Sequence, residues 1–202
     1  VTNNTNAISG YFTKYNIKFS LSKHIDSIED VKSFLNKSKT FQHNLTIDQE
    51  VELKTGPPTP FTTLKFQQKA NQIYNMSPKE SMNIAQKLYE SGLITYMRTE
   101  SDKFSKEFCE NLKTLIETRF GDKYLGNLEK VSDEGKTPHE GIRVTDLYYD
   151  IKNESFTSKE KNIYEMIKKQ TIQSGMSESK YLSMNVFVSA PEEKKYMYNS
   201  KK

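Results

Sequence analysis

A short proline-rich segment, Gly56-Pro57-Pro58-Thr59-Pro60, constrains the fold of this chain more than any other feature. Proline fixes its own φ, lacks a backbone N–H donor and disfavours helix in the residue before it, so the segment cannot be helical and makes a stiff connector. The hydrophobic pattern differs on its two sides, with a period of two before the connector and a helical period after it. The sequence therefore predicts two linked units of different architecture.

Both ends of the chain carry the alternation of apolar and polar residues that is typical of half-buried strands. It runs through three stretches, residues 9–22, 43–53 and 182–188. Ser27 opens a short predicted helix between the first two, which carries Val31, Phe34 and Leu35 on one face. The simplest topology returns the last strand to the sheet of the first unit. The lysine-rich tail after Pro191 is expected to be solvated and frayed.

The middle of the chain is predicted to be helical, with recognisable start and stop signals. The predicted helices cover residues 62–74, Ser77 to Gly92, residues 106–120, and the Thr157 capping box to Gly175. A short strand is expected directly after Gly92, at residues 93–96. Each boundary rests on a local capping residue, so these helices are expected to start where their caps stand.

The domain boundaries follow from these patterns, and the predicted fold class is α+β. We expect a β-rich segment over residues 1–58, a helical domain over residues 59–179, and a returning strand with a tail over residues 180–202. No internal repeat is visible in the sequence, which excludes a repeat array.

The composition excludes several classes of protein. No apolar run approaches the ~20 residues that span a bilayer, which excludes a membrane protein. Cys109 is the single cysteine among 202 residues, so neither an intramolecular disulfide nor a multi-cysteine zinc site can form. With 12 Tyr and 11 Phe, the chain is too aromatic to be disordered, although its mean hydropathy is −0.80.

The basic residues are more informative than the net charge of +4, which is only compatible with nucleic acid binding. Of the 30 basic residues, 27 are lysines and three are arginines, namely Arg98, Arg119 and Arg143. Because the chain uses lysine wherever lysine suffices, each arginine indicates a position that favours a planar, bidentate guanidinium.

Two polar stretches are candidates for a reactive site. Residues 95–101 place Tyr96 two positions before Arg98, and residues 138–143 contain His139 and Arg143. A phenol with a pKa near ~10 is a modest nucleophile, and a neighbouring cation favours the phenolate and neutralises a phosphate. Histidine titrates near neutrality, so it could donate to phosphate or move a proton. Taken alone, these residues fit better a strand-end tyrosine, a solvated arginine and a structural histidine.

Longer motifs carry a specific resemblance. Residues 60–63 read PFTT before a glutamine-containing helix, residues 84–101 read IAQKLYESGLITYMRTES, and residues 139–144 read HEGIRV. This set resembles the active-site signature of type IA DNA topoisomerases, which has a PFT start, an AQ-LYE-G-ITYMRTDS block and a later HEAIRP block. The resemblance covers about residues 55–150. The flanking β segments stand where that family places its arch domain.

The resemblance implies roles for individual residues. Tyr96 would attack DNA and become 5′-phosphotyrosyl, Arg98 would bind and polarise the scissile phosphate, and His139 would lie near the same phosphate. Arg143 would support that pocket or contact the DNA backbone, with a packing or ion-pair role in its loop as the alternative. Ser77 is a further candidate for a DNA contact.

The resemblance also implies what the parent enzyme does. It would cut one strand of DNA, pass another through the gap and reseal it without ATP, relaxing negative supercoils. Its substrate would be single-stranded or melted DNA, it would be intracellular and DNA-associated, and its tyrosine domain would have a winged-helix, catabolite-activator-like fold. Mg²⁺ would be held by a toprim domain that should precede this region. Nothing here resembles toprim, so we expect no metal site and no activity in this fragment alone.

Four departures and one rival reading accompany the resemblance. Glu100 stands where the family has aspartate, and Gly141 and Val144 stand where its HEAIRP block has alanine and proline. With Pro138, these changes are expected to alter the loop that carries His139. The rival is a non-catalytic module of the same fold that binds single-stranded nucleic acid. The intact tyrosine block favours the enzyme, and Arg119, outside both motifs, is expected to be solvated.

Overall fold

The computed structural model describes residues 7–12, 14, 16–133, 138–153 and 155–198. The described residues form a mixed fold of helices and sheets. The strands are β1 (Ser9–Phe12), β2 (Ile17–Leu21), β3 (Leu45–Ile47), β4 (Val51–Thr55), β5 (Phe104–Ser105), β6 (Ser132–Asp133), β7 (Ser179–Ser183), β8 (Val186–Ser189) and β9 (Lys195–Met197). The α-helices are α1 (Ile28–Ser38), α2 (Thr63–Tyr74), α3 (Pro78–Glu90), α4 (Lys106–Arg119) and α5 (Ser158–Ser174).

The chain divides into two compact units. One combines Val1–Leu53 with Lys180–Lys202, and the other is Lys54–Ser179. Each unit has its own cluster of buried apolar side chains. No helix among the described residues combines the length and the apolar character needed to cross a bilayer.

The first unit is built on a five-stranded sheet in the order β1-β2-β9-β8-β3, with every neighbouring pair antiparallel. The C-terminal strands β8 and β9 thus lie in the same sheet as the N-terminal strands. The expectation of a frayed tail after Pro191 is wrong for residues 195–197, because they form the central strand β9. Tyr196 of this strand is buried against Phe34 of α1.

Each predicted strand stretch is divided into two shorter strands. Residues 9–22 form β1 and β2 as an antiparallel pair, with Asn16 before β2 at a φ of 50°. Residues 43–53 contribute to β3 and β4, and residues 182–188 to β7 and β8, each pair split between different sheets. Alternation fixes which face of a sheet a residue occupies but not where the chain turns. The alternating pattern therefore did not predict where each stretch breaks into two strands. Tyr15, one of the alternating apolar residues of the stretch 9–22, lies outside the described residues.

The predicted helix after Ser27 is present, with one side chain placed differently. The Ser27 hydroxyl oxygen accepts the Asp30 N–H at 3.0 Å and caps α1. Phe34 is fully buried, whereas Leu35 is 45% exposed. Successive helical residues point in directions about 100° apart, so a helix resting on a sheet buries one stripe and leaves the next residue in solvent.

The second unit is helical, and its capping residues act as the sequence indicates. The side-chain oxygens of four residues accept a backbone N–H three positions on, at the starts of α2 to α5: Thr62, Ser77, Ser105 and Thr157. Only at Thr157 does the glutamate three residues on, Glu160, return a hydrogen bond to complete a capping box. Helix α3 packs against α2 and α5, and its Ala85 and Leu88 are fully buried. This packed core is the scaffold on which the polar motifs stand.

Candidate functional site

The segment that carries Tyr96 is fixed at the point where it leaves α3. Gly92 ends the helix with a φ of 73°, a conformation that glycine adopts without steric cost. Ile94 then pairs with Val144 in an isolated β-bridge. The strand predicted at residues 93–96 is thus reduced to this single bridge. The Thr95 hydroxyl donates to the Gly141 carbonyl at 2.8 Å. Tyr96 therefore follows directly from an anchored residue.

Tyr96 is half-buried between two other rings. Its ring centroid lies 5.3 Å from that of Tyr89, in an edge-to-face arrangement, and 5.4 Å from that of His139. Tyr89 stands on the last turn of α3, so the helix supplies one wall. The structure thus brings together Tyr96 and His139, two of the residues that the sequence motifs single out, although 43 positions separate them.

The residues after Tyr96 alternate between buried and exposed positions. Met97 and Thr99 are buried and Arg98 is exposed. Thr63, at the start of α2, holds this segment: its hydroxyl donates to the Met97 carbonyl at 2.8 Å and accepts the Thr99 N–H at 2.9 Å. Arg98 makes no ion pair or hydrogen bond with any described residue, and its guanidinium is free to meet a ligand.

The loop that carries His139 is tied to its surroundings by backbone hydrogen bonds. The Gly141 N–H donates to the Lys103 carbonyl at 2.7 Å, and the Ile142 N–H donates to the Phe61 carbonyl at 2.8 Å. A Cβ on Gly141 would stand 3.1 Å from the Pro60 Cβ, so the glycine found where the family motif has alanine suits this close packing. His139 itself is exposed beside Tyr96.

Glu140 and Arg143 form a bidentate ion pair within the same loop. The Nε and Nη2 atoms of Arg143 donate to the two Glu140 carboxylate oxygens at 2.7 and 3.0 Å. The Ser105 backbone N–H donates to the same carboxylate at 3.1 Å. Burial raises the pKa of the Glu140 carboxyl, but the hydrogen bonds from Arg143 and Ser105 outweigh burial and leave the pKa below its ordinary value.

The guanidinium of Arg143 has little freedom to reach a ligand. Its Nη1 donates to the Val144 carbonyl at 3.1 Å, and its central carbon lies 3.7 Å from the Phe108 ring centroid. The side chain is 12% exposed. The sequence left two roles open for Arg143, a DNA contact and a packing or ion-pair role in its loop. These contacts correspond to the second role.

Ser77 lies at the far end of α3 from Tyr96. Tyr96 contacts Tyr89 on the last turn of α3, and this 13-residue helix is about 20 Å long at 1.5 Å per residue. The Ser77 hydroxyl oxygen caps the start of this helix by accepting the Glu80 N–H at 3.2 Å. The structure therefore does not bring Ser77 into the pocket of Tyr96 and His139.

Sequence reasoning assigned no role to Tyr89, Thr63 or Glu140, which build the surroundings of Tyr96. All three stand inside the motifs that carried the family resemblance. The motif positions were therefore the available signal, but only the folded chain shows that Tyr89 is a wall, Thr63 a double hydrogen-bonding partner and Glu140 an anchor for Arg143.

The described residues do not form a metal site. No group of three or more His, Cys, Asp or Glu side chains among them is placed to hold a metal ion. Proteins hold Mg²⁺ chiefly through carboxylate oxygens. The described residues therefore offer no cluster of carboxylates that fits Mg²⁺.

Comparison with known proteins identifies the family. A family model described as DNA topoisomerase matches residues 4–202. The chain belongs to the DNA topoisomerase family. This confirms the resemblance to type IA DNA topoisomerases that the motifs carry.

Curated relatives named DNA topoisomerase 1 support the assignment. The protein from Rickettsia felis is 33% identical over 183 residues, which cover 84% of this chain and 24% of the relative. The protein from Campylobacter jejuni is 33% identical over 178 residues, covering 81% of this chain and 25% of the relative. The chain thus spans about a quarter of the length of these topoisomerases.

A solved structure supports the fold. The structure of full-length topoisomerase I from Thermotoga maritima matches with a TM-score of 0.68 and 24% identity, covering 95% of this chain and 32% of that one. The mixed helix and sheet architecture described above is therefore shared with a topoisomerase I.

Proposed function

We propose that this chain is the tyrosine-bearing part of a type IA topoisomerase that cleaves one DNA strand, passes another through the gap and reseals it, relaxing negatively supercoiled DNA without ATP. The observation that carries the proposal is the contact between the Tyr96 and His139 rings at 5.4 Å, in a chain of this family. The two motifs are far apart in sequence and meet at the one phenol that family resemblance names as the nucleophile.

The proposed reaction is a transesterification at phosphorus. The Tyr96 oxygen bonds to the scissile phosphorus and loses its phenolic proton. The bond from phosphorus to the 3′ oxygen breaks, and that oxygen takes up a proton to become the 3′ hydroxyl. The product is a 5′-phosphotyrosyl strand. The reverse attack by the 3′ hydroxyl restores the DNA, and no ATP is needed because one phosphodiester replaces another.

The neighbouring side chains have distinct proposed roles. The exposed Arg98 guanidinium can pair with the non-bridging phosphate oxygens, where a planar fork suits the crowded charge of the transition state. The His139 ring lies against the Tyr96 ring, which supports a role in donating to the same phosphate or moving the proton. Arg143 acts through Glu140 by holding the His139 loop, which makes it a positioning residue.

The finer parts of the proposal concern the parent protein. Single-stranded or melted DNA is the proposed substrate, and the tyrosine domain is proposed to be winged-helix-like. Mg²⁺ in the parent is proposed to be bound by a toprim domain outside the described residues, because their donor set does not fit it. When bound, the ion would offset phosphate charge.

The proposal is tested by trapping the full-length protein on single-stranded DNA and locating the attached nucleotide by mass spectrometry. We expect the adduct on Tyr96. Tyr96→Phe removes one hydroxyl without changing the shape of the pocket, so it should abolish adduct and relaxation while DNA binding stays nearly intact. Tyr181→Phe, at a half-exposed tyrosine of β7, is the matched control and should behave as wild type.

Two results would contradict the proposal. Relaxation retained by Tyr96→Phe would show that another group is the nucleophile. DNA binding without any adduct or relaxation by the unmodified protein would favour the non-catalytic binding module.

A further inference from the structure

Arg119 is the arginine that the site around Tyr96 does not use. It ends α4, and its guanidinium carbon lies 5.8 Å from the centroid of the neighbouring Phe120 ring. It makes no ion pair with any described residue. In a chain with 27 lysines and three arginines, an unpaired guanidinium beside an aromatic ring indicates a role other than simple surface charge.

Arg119 lines a groove with a volume of about 540 Å³ in the helical unit. The end of α4, residues 148–152 and the C-terminal half of α5 form its walls. Two aromatic rings open into it, because Tyr148 is 68% exposed and Phe120 is 39% exposed. Large exposed rings that line one concave surface are typical of a surface that receives another flat group.

The groove also carries an excess of positive charge. Its cations are Arg119, Lys152, Lys168 and Lys169, and its carboxylates are Asp150 and Glu165. Lys152 lies 4.0 Å from Asp150, and the Lys168 ammonium donates to the Tyr149 carbonyl. Arg119 and Lys169 form no ion pair within the described part of the chain, so both are available at the groove for an anionic ligand.

We propose that this groove binds a segment of single-stranded DNA, with bases stacked on Tyr148 and Phe120 and phosphates paired with Arg119 and Lys169. Unpaired bases can stack on protein rings, whereas the bases of a duplex are already paired and stacked on each other. The groove is therefore expected to prefer single-stranded DNA. The groove shares no residue with the ring cluster of Tyr89, Tyr96 and His139, so it is a second DNA contact. The inference extends the proposed function, since the polymer is the same, but it does not depend on cleavage.

The test measures binding of a fluorescein-labelled oligothymidylate to the 202-residue chain by anisotropy over a range of salt. Tyr148→Ala should weaken binding roughly five- to tenfold with the salt slope unchanged, because it removes stacking but no charge. Arg119→Gln should reduce the slope of log K against log salt by about 0.7, the value for one phosphate contact on a single strand.

Matched controls stand outside the groove. Tyr181→Ala removes an exposed ring of similar size from β7, and Lys32→Gln removes one exposed charge from α1. Both should leave affinity and slope close to wild type. A competing duplex should displace the oligonucleotide much less effectively than an unlabelled single strand.

The outcomes separate this inference from the proposed function. If Tyr148→Ala and Arg119→Gln bind like their controls, or if a duplex competes equally well, the groove is not a single-strand site, whatever Tyr96 does. If both variants weaken binding as stated, the groove stands, even where the full-length protein forms no adduct on Tyr96.

Discussion

Arg98 poses the sharpest question at the scale of single residues. It is exposed two positions after Tyr96, in a segment that Thr63 holds through two hydrogen bonds. The chain uses lysine for most of its positive charge, so the arginine at this position points to geometry rather than charge.

Arg98→Lys separates geometry from charge in the full-length protein. We expect cleavage to fall by roughly 10²-fold, while the affinity for single-stranded DNA falls much less, because the bidentate fork matters most in the transition state. Single-turnover cleavage and anisotropy measure the two effects. Equal losses in both would reduce Arg98 to an ordinary backbone contact.

At the scale of elements, the loop of residues 138–144 is held by the Glu140–Arg143 pair at the start of α4. The pair is largely removed from solvent, with Arg143 12% and Glu140 28% exposed. A charge-assisted, bidentate pair of this kind leaves a costly unpaired partner when one member is neutralised. The loop should therefore be sensitive to the protonation of Glu140.

Glu140→Gln should lower the free energy of unfolding by about 2 kcal/mol at neutral pH. The folded pKa of Glu140 lies below its ordinary value of 4.5, so the pair contributes fully above about pH 4.5 and is lost as pH falls through the folded pKa. The difference between variant and wild type should therefore shrink in acid. Urea unfolding at a series of pH values measures it.

Glu110→Gln is the matched control, because Glu110 is an exposed carboxylate on α4 that forms no ion pair with a described residue. Its effect should stay within about 0.5 kcal/mol at every pH. A difference for Glu140→Gln that is constant with pH would show that the ion pair does not stabilise the loop.

At the scale of the whole molecule, the chain has the proposed nucleophile, but its described residues contain no cluster of metal ligands. The chain spans about a quarter of the length of the topoisomerases from Rickettsia felis and Campylobacter jejuni. We expect the purified 202-residue chain to bind single-stranded DNA weakly, because a net charge of +4 neutralises few phosphates. We also expect it to leave supercoiled plasmid unrelaxed, with or without Mg²⁺, in a gel assay. Mg²⁺-dependent relaxation that Tyr96→Phe abolishes would show that the chain itself supplies the metal site.

The sequence by itself determined the features that depend on near neighbours. The caps at Thr62, Ser77, Ser105 and Thr157 each act over three residues, so the starts of the helices could be predicted within a residue. The family could likewise be inferred, because its motifs are continuous runs of sequence.

Only the tertiary structure decided the features that depend on distant partners. Residues 195–197 of the tail after Pro191 form the central strand β9 because strands from both ends of the chain pair on either side of them. The Arg143 guanidinium packs on the ring of Phe108, and the Thr63 hydroxyl donates to the carbonyl of Met97, through contacts that no local pattern encodes. Strand order and side-chain pairing are settled by burial and hydrogen bonding between segments remote in sequence, whereas a capping signal is complete within one turn of helix.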